Sequence, residues 1–161
     1  LTMPINMKMS GLRDIERALA QLPAGTAKGV ARRAMKKELA PVAATANALW
    51  PGSRDDVFRI TARVTAGQLG DSVAERGRSV TNLFVGAPGG AGGTPEAHLV
   101  EFGTGPRFQK NGRFTGSVAP QPMLQPAWDM HKRQMLDGLG RRLWDEIEKT
   151  MARRAKRAGG R

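Results

Sequence analysis

The chain reads as an α+β domain, with two N-terminal helices and a C-terminal helix packed on a small, mainly antiparallel β-sheet. Three observations point there. Apolar residues recur at three- and four-residue spacing through the first fifty positions. Two stretches between residues 56 and 86 carry strand patterns instead. From Pro122 onward the helical spacing returns. At 161 residues the sequence suits one domain over residues 1–161, long enough to bury a core of its own.

Residues 10–22 predict the first helix, capped by Ser10, with Leu12, Ile15, Leu19 and Leu22 along one face and Pro23 ending it. Residues 24–50 predict a longer, Ala-rich helix with Ala27, Val30, Ala34, Leu39, Val42, Ala46 and Leu49 on a broad stripe. Its outer face would carry Lys28, Arg32, Arg33, Lys36 and Lys37, and Pro41 should kink or split it. Over residues 56–66, Phe58, Ile60, Ala62 and Val64 alternate with Arg59, Thr61, Arg63 and Thr65, which favours a half-buried strand over a continued helix. The β-branched and aromatic SVTNLFVG at 79–86 predicts a second strand. APGGAGGTP at 87–95 holds four glycines and two prolines and is expected to be a mobile loop. In the last helix Leu136, Leu139, Leu143, Ile147 and Met151 keep the apolar spacing, and Gly138 and Gly140 weaken it by roughly 1 kcal/mol each relative to Ala. Residues 152–161, with Arg153, Arg154, Lys156 and Arg157 and no acid, are expected to form a flexible basic tail.

Composition narrows the function classes. Twenty-six basic residues against 14 acidic ones give a net charge of +12, which favours nucleic acid, an acidic protein or an anionic surface as partner. Aromatic residues are few, so the interleaved pattern of single-strand binders is weak. Cysteine is absent, which removes disulfides, thiolate metal sites and thiol nucleophiles together. Residues 1–12 lack the apolar core of a signal peptide. The longest uncharged stretches, 39–53 and 79–95, are broken and fall short of the ~20 apolar residues of a membrane span, so a soluble protein is expected.

No catalytic constellation emerges. His98 and Glu101, three apart, would share a helix face, yet a metal needs another good ligand and His131 is the one other His. The plainer expectation is a His at a loop edge beside a partly exposed Glu. The glycine-rich 87–95 lacks the Gly-Lys-Ser/Thr ending of a phosphate loop, and no nucleophile elbow accompanies the two histidines. Neither enzyme activity nor a cofactor is expected.

The least generic stretch is HLVEFGTGPRFQKNGRFTGSVAPQPMLQPAWD at 98–129. Phe102 could anchor a core while Gly103 and Gly105 permit a sharp turn. Pro120 and Pro122 hold the chain extended before the last helix. Between them, residues 106–118 carry Arg107, Lys110 and Arg113 without an acid and are expected to be a long exposed interaction loop.

Two elements here resemble the minor tail, or tail-completion, proteins of long-tailed bacteriophages. One is the Ala-x-x-x-Glu-Phe-Gly-Thr core at Ala97, Glu101, Phe102, Gly103 and Thr104; the other is the Pro-x-Pro-hydrophobic-Leu-x-Pro-Ala run at Pro120, Pro122, Met123, Leu124, Pro126 and Ala127, leading to Trp128. GQLGDSV at 67–73 is similar to a third family element. Met123, where the family has an aromatic, and the glycine-rich loop before Ala97 depart from the pattern. The resemblance implies a non-enzymatic virion protein, made in the bacterial host cytoplasm. It would form a homo-oligomeric ring in the neck that joins the head connector to the tail. Its implied partners are the stopper or connector and the tail terminator, with possible contact to DNA in the channel. The rival expectation is a small basic DNA-binding accessory protein, which has no recognisable helix-turn-helix, zinc or ribbon motif to support it. Arg107, Lys110, Arg113, Arg153, Arg154, Lys156 and Arg157 are the candidate contacts to partner or DNA.

Overall fold

A computed structural model describes residues 13–62, 80–89 and 92–159. In chain order it contains helices α1 (Arg13–Ala20) and α2 (Ala24–Ala48), then strands β1 (Arg59–Thr61) and β2 (Phe84–Gly86). Helix α3 (Ala97–Phe102), strands β3 (Thr104–Phe108) and β4 (Phe114–Val118) and helix α4 (Leu124–Gly159) follow. The class is α+β, with helices at both ends. Among the described residues the strands form two two-stranded ladders, β1 with β2 and β3 with β4. The GQLGDSV element at 67–73 lies outside the described residues.

The chain divides into two compact units. The first comprises Leu1–Leu39, Ala62–Phe84 and Arg133–Arg161, and the second Ala40–Thr61 and Val85–Lys132. Helices α2 and α4 each contribute a segment to both. Helix α2 is unbroken through Pro41. The missing donor costs one backbone bond, and burial of Val42, Ala43 and Ala46 in the following turns offsets it.

In the first unit Val30, Ala34, Leu39, Met135, Leu143 and Ile147 are buried. Beside them lies a polar cluster. Glu146, 3 % exposed, accepts hydrogen bonds from Lys37 Nζ at 2.6 Å and Arg33 Nε at 2.7 Å. Arg33 also donates to Thr150 Oγ1 at 3.0 Å, and Arg142 Nε donates to Glu38 Oε1 at 2.7 Å. The outer basic face expected of α2 is thus partly turned onto α4. Hydrogen bonds from Lys37 and then Arg33 lower the Glu146 carboxyl to a pKa of about 2, because both cations stabilise its charged form against the cost of burial.

The core of the second unit is Val42, Ala46, Val57, Phe58, Ala97, Met123 and Ala127, with Trp50, Val100, Leu124 and Trp128 packed against it. Asn47 on α2 pairs with the backbone of Phe58 in both directions, donating Nδ2 to Phe58 O (2.9 Å) and accepting Phe58 N on Oδ1 (2.8 Å). That side chain imitates a strand partner and seats Phe58 edge-on against Trp50, with ring centroids 6.2 Å apart. Among the described residues, Arg59–Thr61 of the alternating 56–66 stretch is strand, and so is Phe84–Gly86 at the end of 79–86. Part of the glycine-rich 87–95 is tied down rather than free. Arg54 donates to the carbonyls of Gly92 (3.0 Å) and Gly93 (2.9 Å), and Thr94 is buried.

The basic C-terminal segment is helical through Gly159. Alanine, arginine and lysine are strong helix formers, and cations in the last turn meet the negative end of the helix dipole. Among the described residues no helix is long and apolar enough to cross a membrane.

Candidate functional site

The site grows from the short helix α3. Ala97 and Glu101 sit four apart on one face and are both buried, while His98 and Phe102, also four apart, are exposed. His98 Nδ1 lies 2.6 Å from Pro95 O, and His131 shares a 2.7 Å hydrogen bond with Thr45 Oγ1. Glu101 is only 7 % exposed, where the sequence suggests a partly exposed carboxylate. The reason is the start of α4. A helix leaves its first N–H groups without partners, and a carboxylate both accepts them and suits the positive end of the dipole. Glu101 Oε2 accepts Met123 N at 2.9 Å, and Oε1 accepts Leu124 N at 3.1 Å.

The same geometry overturns the anchoring role expected of Phe102. With Glu101 committed inward, Phe102 points out and is 68 % exposed. The apolar anchors are Ala97, Met123 and Ala127, all buried, with Trp128 partly buried against them. Pro126 lies in the first turn of α4, where an absent N–H leaves nothing unpaired. Pro120 and Pro122 hold the approach, and the intervening Gln121 N donates to Val100 O at 2.8 Å.

Gly103 carries the exit from α3. Its φ of 72° lies in the left-handed region, and a Cβ there would stand 2.8 Å from Pro120 N, Pro120 Cδ and Val118 O. The departing and returning strands therefore close on each other at this residue. Thr104 Oγ1 completes the closure by accepting Val118 N at 3.0 Å.

What the sequence suggests is a long loop at 106–118 is an antiparallel hairpin. Thr104 pairs with Val118, Arg107 with Gly116 and Phe108 with Phe114, with register shifts between them. At the tip Gly112 N donates to Gln109 O (2.9 Å) and Gln109 N to Arg113 O (2.8 Å), while Gly112 takes φ 80°. That is a type I turn followed by a left-handed residue, the usual three-residue hairpin connection. The dipeptide Asn111-Gly112 between two phenylalanines was the readable signal for it. Asn111 Oδ1 further accepts Arg113 N at 3.1 Å.

Every residue from Gly105 to Thr115 is exposed, including Arg107, Lys110 and Arg113. Phe108 (64 % exposed) and Phe114 (56 %) pair across the strands with ring centroids 5.4 Å apart. No acid occurs between Glu101 and Asp129, and Glu101 is spent on α4, so the hairpin is purely cationic. Arg153, Arg154, Lys156 and Arg157 are exposed on the last turns of α4 and belong to the other unit. Among the described residues no group of three or more His, Asp or Glu is placed to hold a metal. No protein-family model, curated protein or solved structure matches the chain.

Proposed function

We propose that the chain is a non-enzymatic structural subunit of a long-tailed bacteriophage neck, repeated in a ring that joins the head connector to the tail. The observation that carries this reading is the bond from Glu101 to the first amides of α4. It ties the two elements that bear the family resemblance, Ala97 to Thr104 and Pro120 to Trp128, into one clasp with the exposed hairpin between them. A clasp that presents a projecting element on a rigid base suits an assembly part better than a catalytic one. Heterologous contacts between successive copies close into a ring when their rotation closes. The stopper or connector and the tail terminator are the partners on either side, and the site of action is the virion neck.

The test is a joining assay. Heads and tails made without this chain should accumulate separately and join when purified protein is added, and electron micrographs of the protein should show closed rings. Joining that proceeds equally well without it would end the proposal. His98→Ala and His131→Ala should leave joining intact, since no reaction is assigned to either.

A further inference from the structure

We infer that the β3–β4 hairpin is a duplex-DNA contact element. Arg107, Lys110 and Arg113 would meet phosphates, and the Phe108–Phe114 pair would press against the groove wall. The inference deepens the neck reading, in which duplex DNA passes the ring.

Four observations carry it. The hairpin is a two-stranded ribbon of five residues per strand, about 17 Å long at the usual rise, and a two-stranded ribbon fits the major groove of B-DNA. Its residues from Gly105 to Thr115 are all exposed. Three cations lie within seven positions, in a run from Phe102 to Trp128 that contains no acid. Two large aromatic rings stand in solvent beside them rather than in a core.

Part of the other basic cluster has a local explanation without DNA. Lys156 and Arg157 lie in the last turn of α4, where cations relieve the dipole. No such local reason exists for Arg107, Lys110 and Arg113, which form no ion pair within the hairpin because it offers no carboxylate. A protein partner fits less well. A stable interface covers about 800 Å² on each side with a sizeable apolar centre, and two phenylalanines supply only a fraction of that. Three cations without an acid also oppose pairing of this ribbon with the same ribbon of a second copy.

The experiment uses the full-length protein and a fluorescently labelled random-sequence 30-base-pair duplex, with anisotropy read over a salt series. A single strand of the same sequence is the second probe. Binding should weaken steeply with salt. The triple variant Arg107→Gln, Lys110→Gln, Arg113→Gln should bind the duplex more weakly and flatten the log–log salt slope by up to about 3, near 0.9 per lost phosphate contact. Phe108→Ala with Phe114→Ala should weaken binding at every salt and leave the slope unchanged. The quadruple Gln variant at 153, 154, 156 and 157 should change the slope less than the hairpin triple. Each variant is first shown to melt like the parent, so that lost binding is not lost folding.

No duplex binding by the parent protein overturns the inference, as do hairpin variants that bind like it. Tighter binding to the single strand also overturns it. So does a phenylalanine variant that changes oligomeric state while duplex affinity holds, which would make a second copy the occupant. The joining assay is independent. Binding without joining would retain the DNA element and remove the neck role, whereas joining without binding would do the reverse.

Discussion

Glu101 and Met123, 22 residues apart, are joined by a 2.9 Å hydrogen bond from the Met123 amide to a buried carboxylate oxygen. Helix α4 begins on a side chain borrowed from another helix. Glu101→Ala should therefore strand the Met123 and Leu124 amides and cost about 1–3 kcal/mol, because buried donors lose their acceptor. Glu101→Gln keeps an oxygen but loses the charge and should fall between. Urea unfolding monitored by circular dichroism distinguishes the three proteins; equal stabilities would show that the clasp is dispensable.

Gly103 and Gly105 are two apart and should respond oppositely to alanine. At Gly103 the new Cβ meets backbone and proline atoms at 2.8 Å in a left-handed conformation, so Gly103→Ala should cost roughly 1–3 kcal/mol. At Gly105 nothing lies within 4 Å, and the change should stay within about 0.5 kcal/mol. Thermal melts of both variants side by side are the check.

Met123→Ala should be far more damaging than Phe102→Ala. Met123 is completely buried, and its truncation should cost about 2–5 kcal/mol. Phe102 is mostly in solvent and should cost less than about 1 kcal/mol. A Phe102 variant that melts as early as the Met123 variant would return Phe102 to the core.

Acid should weaken the first unit through Glu146. Its folded pKa of about 2 lies below the ordinary 4.5, so its contribution is full above pH 4.5 and is lost as pH falls toward 2. Arg33 and Lys37 are each nearly half exposed, and solvent screening holds the contribution to the order of 1–2 kcal/mol. Glu146→Gln should be less stable than the parent at pH 7, and the gap should narrow by pH 3. A gap independent of pH would remove the ion pairs as its cause.

Deleting residues 152–161 should shift the melting midpoint by no more than about 2 °C, because residues 152–159 are helical but wholly exposed. Loss of the folded state on deletion would mean that this segment packs after all.

The helices at both ends were readable because their apolar spacing spans many turns. Val30, Ala34, Val42, Ala46, Leu143 and Ile147 are buried as their positions suggest. The hairpin has no apolar alternation to announce it, although Asn111-Gly112 marks its turn. At positions 101 and 102, hydrophobicity alone favours burying the phenylalanine over the glutamate. That order reverses only when a helix N-terminus from elsewhere supplies the amides. The Glu146 cluster has partners 109 and 113 positions away, and no local pattern announces such a pair.

Closure at Gly103, Thr104, Val118 and Pro120 separates the length of the ribbon from the integrity of its base. Because the two strands leave and re-enter at one point, residues added between Lys110 and Asn111 lengthen the projection without moving either end. The entropic cost of a longer connection grows only logarithmically. The tip is thus the place where an affinity tag or fluorophore-bearing peptide can be inserted while the fold persists, and where related chains can differ in reach while sharing the same footing.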